Sequence, residues 1–207
     1  MFETALAHNG LIAILRGLGP DEAEAVGQAL YAAGVRIIEV PFNSPEPLRS
    51  IETLRRTLPG DCLVGAGTVL RVEQVRQLKD AGGQLVVMPH CDETVIRVTV
   101  AAGLFCTPGV ATPGEAFAAL AAGASALKVF PAEQVGPGAL KAWLTVLPTG
   151  TALLPVGGIT PEGMAPYLAA GAVGFGLGSA LYRPGMSPAE VGRRAQTFIQ
   201  ARRSTAG

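Results

Sequence analysis

The sequence predicts an α/β protein, and within that class a single-domain (β/α)8 TIM barrel over residues 1–207. Three observations carry the prediction. Eight short apolar runs read as strands, helical patterns lie between them, and a small Ala/Gly phrase returns with the length of one strand-plus-helix unit.

In chain order, the first strand is LIAILR (11–16), and DEAEAVGQALYAA (21–33) follows it as a helix whose acidic start suits the first turn. The second strand, VRIIEVPF (35–42), leads into PLRSIETLRRT (47–57), a helix opening on proline. LVGAGTV (63–69) and VEQVRQLKDA (72–81) form the third unit, and QLVVMP (84–89) with DETVIRVTVAA (92–102) the fourth. LFCTPG (104–109) and PGEAFAALAA (113–122) form the fifth. ALKVFP (126–131) is the sixth strand, and Trp143 is expected to cover the core from a helix after it. ALLPVGG (152–158) with PEGMAPYLAA (161–170) is the seventh unit, and AVGFGLGSAL (172–181) is the eighth strand.

The recurring phrase is AAGV at Ala32, DAGG at Asp80, AAGL at Ala101 and AAGA at Ala121 and Ala169. It stands where a helix gives way to a strand, so its glycine is expected to end the helix at positive φ. Gly82, Gly103 and Gly123 are 21 and 20 residues apart, and 48 residues separate both Gly34 from Gly82 and Gly123 from Gly171, about two units each. Nearly continuous apolar strands belong to a parallel sheet covered on both faces, and eight uninterrupted units imply closure into a barrel. A doubly wound open sheet is the alternative, but LIAILRGLGP lacks the GxGxxG turn that such a sheet wants after its first strand.

Composition narrows the function. Hydrophobic residues make up 49% of the chain, enough for a sizeable core, and 16 basic residues balance 16 acidic ones without a run of either sign. Neither nucleic acid nor an anionic membrane is therefore expected as a partner, and a small molecule is. The apolar runs fall short of the roughly 20 residues that span a bilayer, and the first residues lack a basic segment followed by a long apolar one. Cys62, Cys91 and Cys106 are odd in number and form no CxxC pair, which suits a reducing cytoplasm. His8 and His90 are isolated from other ligand residues, so no metal site is expected.

In such a barrel the working groups sit at the carboxyl ends of the strands. Those ends carry Arg16, Glu39, Asn43 and Ser44, Thr68, Pro89 and His90, Thr107, Lys128, Gly157 and Gly158, and Gly178 and Ser179. Lys128 interrupts the apolar run ALKVFP and Glu39 interrupts RIIEVPF. A buried lysine is either paired or stripped toward the free amine, in which case it can attack a carbonyl and form an imine. Glu39 is either the partner of a core arginine or a carboxylate with a raised pKa that moves protons. Arg16 either pairs with Glu39 or binds an anionic end of a substrate, and Thr68 satisfies the backbone or hydrogen-bonds a substrate carboxylate. The glycine turns PVGGIT and GLGSALY, after strands seven and eight, occupy the position where such barrels present backbone N–H groups to a phosphate.

LIAILRG, IIEVPFNSP, VGAGTV, ALKVFPAE, VGGITPE and GLGSALYRPG together resemble the pyruvate-dependent class I aldolases acting on 2-keto-3-deoxy-6-phospho sugar acids. Within that family the resemblance is strongest to the 2-dehydro-3-deoxy-6-phosphogalactonate branch, and it runs from Leu11 to Gly185 in the same order. It implies Lys128 as the Schiff-base lysine, Glu39 as general acid/base, Thr68 as a contact to the pyruvyl group and Arg16 as an anion contact. Gly158, Gly178 and Ser179 are implied to hold the phosphate. It also implies cleavage to pyruvate and glyceraldehyde 3-phosphate without metal or organic cofactor, in a cytoplasmic homotrimer. The gluconate branch, which includes 4-hydroxy-2-oxoglutarate aldolases, usually has Leu-Arg-Thr where this chain has Phe42, Asn43 and Ser44, and threonine in place of Val156. Asn43, Ser44, Val156 and Pro89, which precedes His90, are thus the specificity candidates. The competing readings are that sister activity, a phosphosugar isomerase or epimerase on the same barrel, and a phosphosugar-binding protein without turnover.

Overall fold

The computed structural model describes residues 1–205, in which short parallel strands alternate with helices along nearly the whole chain. The order is α1 (Phe2–Asn9), β1 (Leu11–Ile14), α2 (Pro20–Ala33), β2 (Ile37–Pro41), α3 (Pro47–Thr57), β3 (Leu63–Gly67), α4 (Val72–Asp80), β4 (Leu85–Val87) and α5 (Glu93–Ala101). Then come β5 (Phe105–Thr107), β6 (Gly109–Val110), α6 (Pro113–Ala121), β7 (Leu127–Val129), α7 (Ala132–Leu144), β8 (Leu153–Pro155), α8 (Met164–Ala169), β9 (Phe175–Leu177) and α9 (Pro188–Thr205). The glycines of the recurring phrase all turn at positive φ, between 75° at Gly103 and 109° at Gly34.

The strands make a curled parallel sheet in two segments, ordered β5-β4-β3-β2-β1-β9 and β6-β7-β8. A single bridge between Val156 and Gly176 links the end of β8 to β9. The expectation of eight strands is corrected at LFCTPG. That run is two strands, because Pro108 carries no N–H and interrupts the ladder. Before it β5 pairs with β4, and after it β6 pairs with β7, so the break is where one segment hands over to the other. The pairing gives an α/β fold, a curled parallel sheet whose strands alternate with helices.

The period of two along each strand divides the core. Leu11, Ala13, Ile38, Val40, Val64, Ala66, Val86, Cys106, Leu127 and Val129 face the helices, in one cluster with Val26, Leu30, Leu54 and Leu78. Their neighbours Ile12, Ile37, Leu63, Leu85, Val87, Ala126 and Leu154 point to the inner face and pack with Phe2, Ala5 and Leu6 of α1. Helix α1, absent from the sequence-based pattern, therefore fills the amino-terminal end of the curled sheet, with the Phe2 ring stacked on Phe105 at 5.4 Å. With that end plugged, the inner face opens toward the carboxyl ends of the strands.

Candidate active site

Following the inner-face alternation one step past the apolar layer reaches the polar residues. Ile12 leads to Ile14 and Arg16, Ile37 to Glu39, Leu85 and Val87 to Pro89, Ala126 to Lys128 and Phe130, and Leu154 to Val156 and Gly158. A cavity of about 500 Å³ lies at these strand ends, lined by Ile14, Arg16, Thr68, Pro89, Lys128 and Phe130 on one side. Val156 to Thr160, Gly176, and Gly178 to Pro184 other than Leu181 complete the lining. A second hollow, of about 390 Å³ beside α1, has Arg36 and Asp61 paired with each other, Arg36 Nε donating to Asp61 at 3.1 Å.

Lys128 is buried, 8% exposed, and its Nζ lies 4.7 Å from the centroid of the Phe130 ring. Burial pushes its pKa below the ordinary lysine range; the Glu39 carboxylate opposes that shift and the Arg16 guanidinium adds to it. Glu39 is 2% exposed, and burial raises its pKa to about 7 against the pull of Lys128 and then Arg16. Glu39 Oε2 is buried without a hydrogen-bond partner. A carboxyl group poised near neutrality beside an amine relieved of part of its proton affinity is suited to proton relay and carbonyl addition. Cys62 and Cys106 offer no rival nucleophile, since burial pushes both thiols up to about 12.

Room for the Glu39 side chain comes from β3. A Cβ at Gly67 would land on the Glu39 carboxylate, so only glycine lets that group lie across the strand. Gly67→Ala is expected to displace Glu39 and to lower kcat about 100-fold, the usual consequence of misplacing a working group by an ångström. Steady-state kinetics with a thermal melt to confirm folding checks this. The next residue, Thr68, holds φ at 55°, a left-handed conformation that costs a β-branched residue about 1–3 kcal/mol. Thr68 lines the cavity.

Of the remaining expected residues, Arg16, Thr68, Pro89, Val156, Gly158, Gly178 and Ser179 all line the cavity. Asn43 and Ser44 do not. Arg16 Nη1 donates to Asn43 Oδ1 at 3.0 Å, and the Gly17 N–H donates to the buried Ser44 Oγ at 2.9 Å. Both residues thus act on the cavity through the Arg16–Gly17 loop, 27 positions away in sequence. His90 is half-buried with Nδ1 unpartnered, and Thr107 is buried with an unpartnered hydroxyl. Phe130, Thr160, Tyr182 and Arg183 line the cavity without having been singled out from sequence. Only the inner-face period, carried past Lys128 to Phe130, could have found one of them.

A buried amine and a buried carboxyl group at the carboxyl ends of parallel strands are features of enzymes that work on carbonyl substrates through an amine nucleophile. The model of the KDPG and KHG aldolases matches residues 2–192. A probable 2-dehydro-3-deoxy-6-phosphogalactonate aldolase of Rhizobium meliloti (strain 1021) is 51% identical, covering 92% of this chain and 90% of that protein. The 2-dehydro-3-deoxy-6-phosphogalactonate aldolase of Escherichia coli (strain K12) is 47% identical over 93% of this chain and 94% of its own. Among solved structures, a native KDPGal structure superposes with a TM-score of 0.93 at 46% identity, covering 95% of both chains. The chain belongs to the KDPG and KHG aldolase family, and is thus a carbon–carbon lyase. Among the described residues no helix is long and apolar enough to cross a membrane.

Proposed function

We propose that this protein cleaves 2-dehydro-3-deoxy-6-phospho-D-galactonate to pyruvate and D-glyceraldehyde 3-phosphate through an imine on Lys128. The observation that carries the reading is a buried Lys128 on the cavity wall, electrostatically coupled to a buried Glu39, with burial shifting each toward its neutral form.

The free amine of Lys128 adds to the C2 ketone, and loss of water gives a cationic imine. Electrons of the C3–C4 bond flow into that imine to leave an enamine, while the C4 hydroxyl gives its proton to Glu39, directly or through one water. Glyceraldehyde 3-phosphate departs, Glu39 returns a proton to C3, and addition of water to the new imine releases pyruvate and the amine. The imine is the electron sink, so the chemistry calls for neither metal nor organic cofactor. In this reading Thr68 and Arg16 hold the pyruvyl carboxylate, and Gly158, Gly178 and Ser179 hold the phosphate through backbone N–H groups and a hydroxyl.

The galactonate substrate is preferred over its C4 epimer because the two most similar relatives reported above carry the galactonate name, and because Val156 lines the cavity where the gluconate branch has a hydroxyl. The gluconate and 4-hydroxy-2-oxoglutarate activity is the second reading. An isomerase or epimerase would have no use for an imine. The two sheet segments are read as one closed (β/α)8 barrel, the whole of 1–207 as one domain, and the protein as a homotrimer of the cytoplasm. Trapping with borohydride and pyruvate, followed by peptide mapping, tests the mechanism: one reduced adduct on Lys128 is expected. The sequence has just three lysines, Lys79, Lys128 and Lys141, so the assignment is direct. An unmodified protein, with a control aldolase trapped in parallel, overturns the reading. Comparing kcat/KM for the two C4 epimers then decides the branch.

A further inference from the structure

The charged side chains lining the cavity are Arg16, Lys128 and Arg183, all cationic. Two of them bear on the reaction centre, since Arg16 shifts the protonation of both Glu39 and Lys128. Arg183 is not among the groups that shift either. Its position is nonetheless built. Arg183 Nε donates to the Ser179 carbonyl at 3.1 Å, and the Leu181 and Tyr182 N–H groups donate to the Gly178 carbonyl at 2.8 and 3.0 Å, tying it to the glycine turn after β9. On one flank Tyr182 is buried, its hydroxyl donating to Glu22 Oε2 at 3.3 Å. On the other flank Pro184 seats against Gly17, where a Cβ would strike it. The guanidinium is thus held at Nε, while its terminal nitrogens form no hydrogen bond or ion pair among the described residues. Gly158, Gly178 and Ser179 line the same cavity as Arg183, so a dianion received by the glycine turns has a cation on the same wall.

We infer that Arg183 binds the distal phosphate of the substrate and sets the preference for phosphorylated over unphosphorylated aldehydes. The inference rests on the aldolase reading above and adds a side-chain cation to a subsite otherwise made of glycine and serine. A guanidinium fork offers two parallel N–H donors to a phosphate, which glycine turns alone cannot supply with compensating charge.

The test uses the condensation direction, with pyruvate and either D-glyceraldehyde 3-phosphate or D-glyceraldehyde as the acceptor. Arg183→Gln is expected to lower the preference for the phosphorylated acceptor by about 10- to 100-fold, mainly through KM, as befits a lost charge-assisted hydrogen bond. Arg183→Lys should restore part of it. Borohydride trapping of pyruvate on Lys128 in the same variant separates this inference from the reading it rests on. An adduct with an unchanged acceptor preference overturns the role of Arg183 alone, as does an equal loss with both acceptors. A raised KM for pyruvate would overturn it too, moving Arg183 to the carboxylate. Absence of the adduct in the unsubstituted protein overturns both.

Discussion

Lys128→Met is expected to abolish cleavage, lowering kcat/KM by about 10⁴-fold or more, the scale of losing an essential nucleophile. It should also abolish the pyruvate adduct. The variant is informative because methionine keeps most of the buried stem and removes only the amine. If the lysine were a structural partner of Glu39, breaking that pair would cost about 3–5 kcal/mol of stability. The aldolase reading expects the opposite, a melting temperature unchanged or raised, because Lys128 is already penalised by burial. Glu39 would follow without an orphaned charge. Losing the cation that holds its pKa down moves it further above about 7, so it stays protonated at neutral pH. Cleavage retained in Lys128→Met, or an adduct mapped to Lys79 or Lys141, would sink the assignment. A large fall in stability would return Lys128 to a structural role.

Why Lys128 and Glu39 could be read from sequence is itself physical. Strands with apolar residues at both parities leave no ordinary place for a charge, so each charge in ALKVFP and RIIEVPF marked a position whose burial needed a reason. The βα period then placed both at the carboxyl ends, and the inner-face alternation in the structure agrees. Other features depended on contacts that spacing does not encode. Nothing within LFCTPG shows that β5 and β6 pair with different neighbours on either side of Pro108. Helix α9 buries Val191, Ala195, Phe198 and Ile199 at helical spacing, but Arg193, Arg194, Arg202 and Arg203 dilute the apolar signal. Helix α1 is eight residues long, with no side-chain cap at its start, so little in FETALAHN announces a plug.

The same limit shapes the site. Asn43 and Ser44 stand out in the sequence as differences from the gluconate branch, which makes them specificity candidates. The structure gives them partners 27 residues away, and through those partners a hold on Arg16 and Gly17. A difference in specificity can thus be exerted by orienting a guanidinium rather than by touching the ligand. Arg183 went unnoticed for the converse reason. An arginine in a surface-like segment such as LYRPG looks ordinary until the fold sets it on the wall of a cavity.

Glu39→Gln is expected to lower kcat by about 10²- to 10⁴-fold while leaving pyruvate able to form its imine, because the amide keeps the shape but cannot carry the C4 proton. Its pH dependence separates a proton relay from a structural carboxyl group. To accept that proton Glu39 must be ionised, so kcat/KM should climb through pH about 7 and level off above it. In kcat the same limb should lie lower, since the imine places a fixed positive charge beside the carboxylate and favours its ionised form. Glu39→Gln should lose the limb. Stability runs the other way. Below pH 4.5 the carboxyl group is protonated folded or unfolded; between 4.5 and about 7 only the folded chain keeps the proton, so stability falls as pH rises through that window and is level above it. The gap corresponds to about 3 kcal/mol at most, and Glu39→Gln should be the more stable protein at pH 8 with no such slope. Denaturant melts at pH 5 and pH 8 read this directly. A variant that keeps both the activity limb and the stability slope would place the titrating group elsewhere and leave Glu39 without a part in the proton transfer.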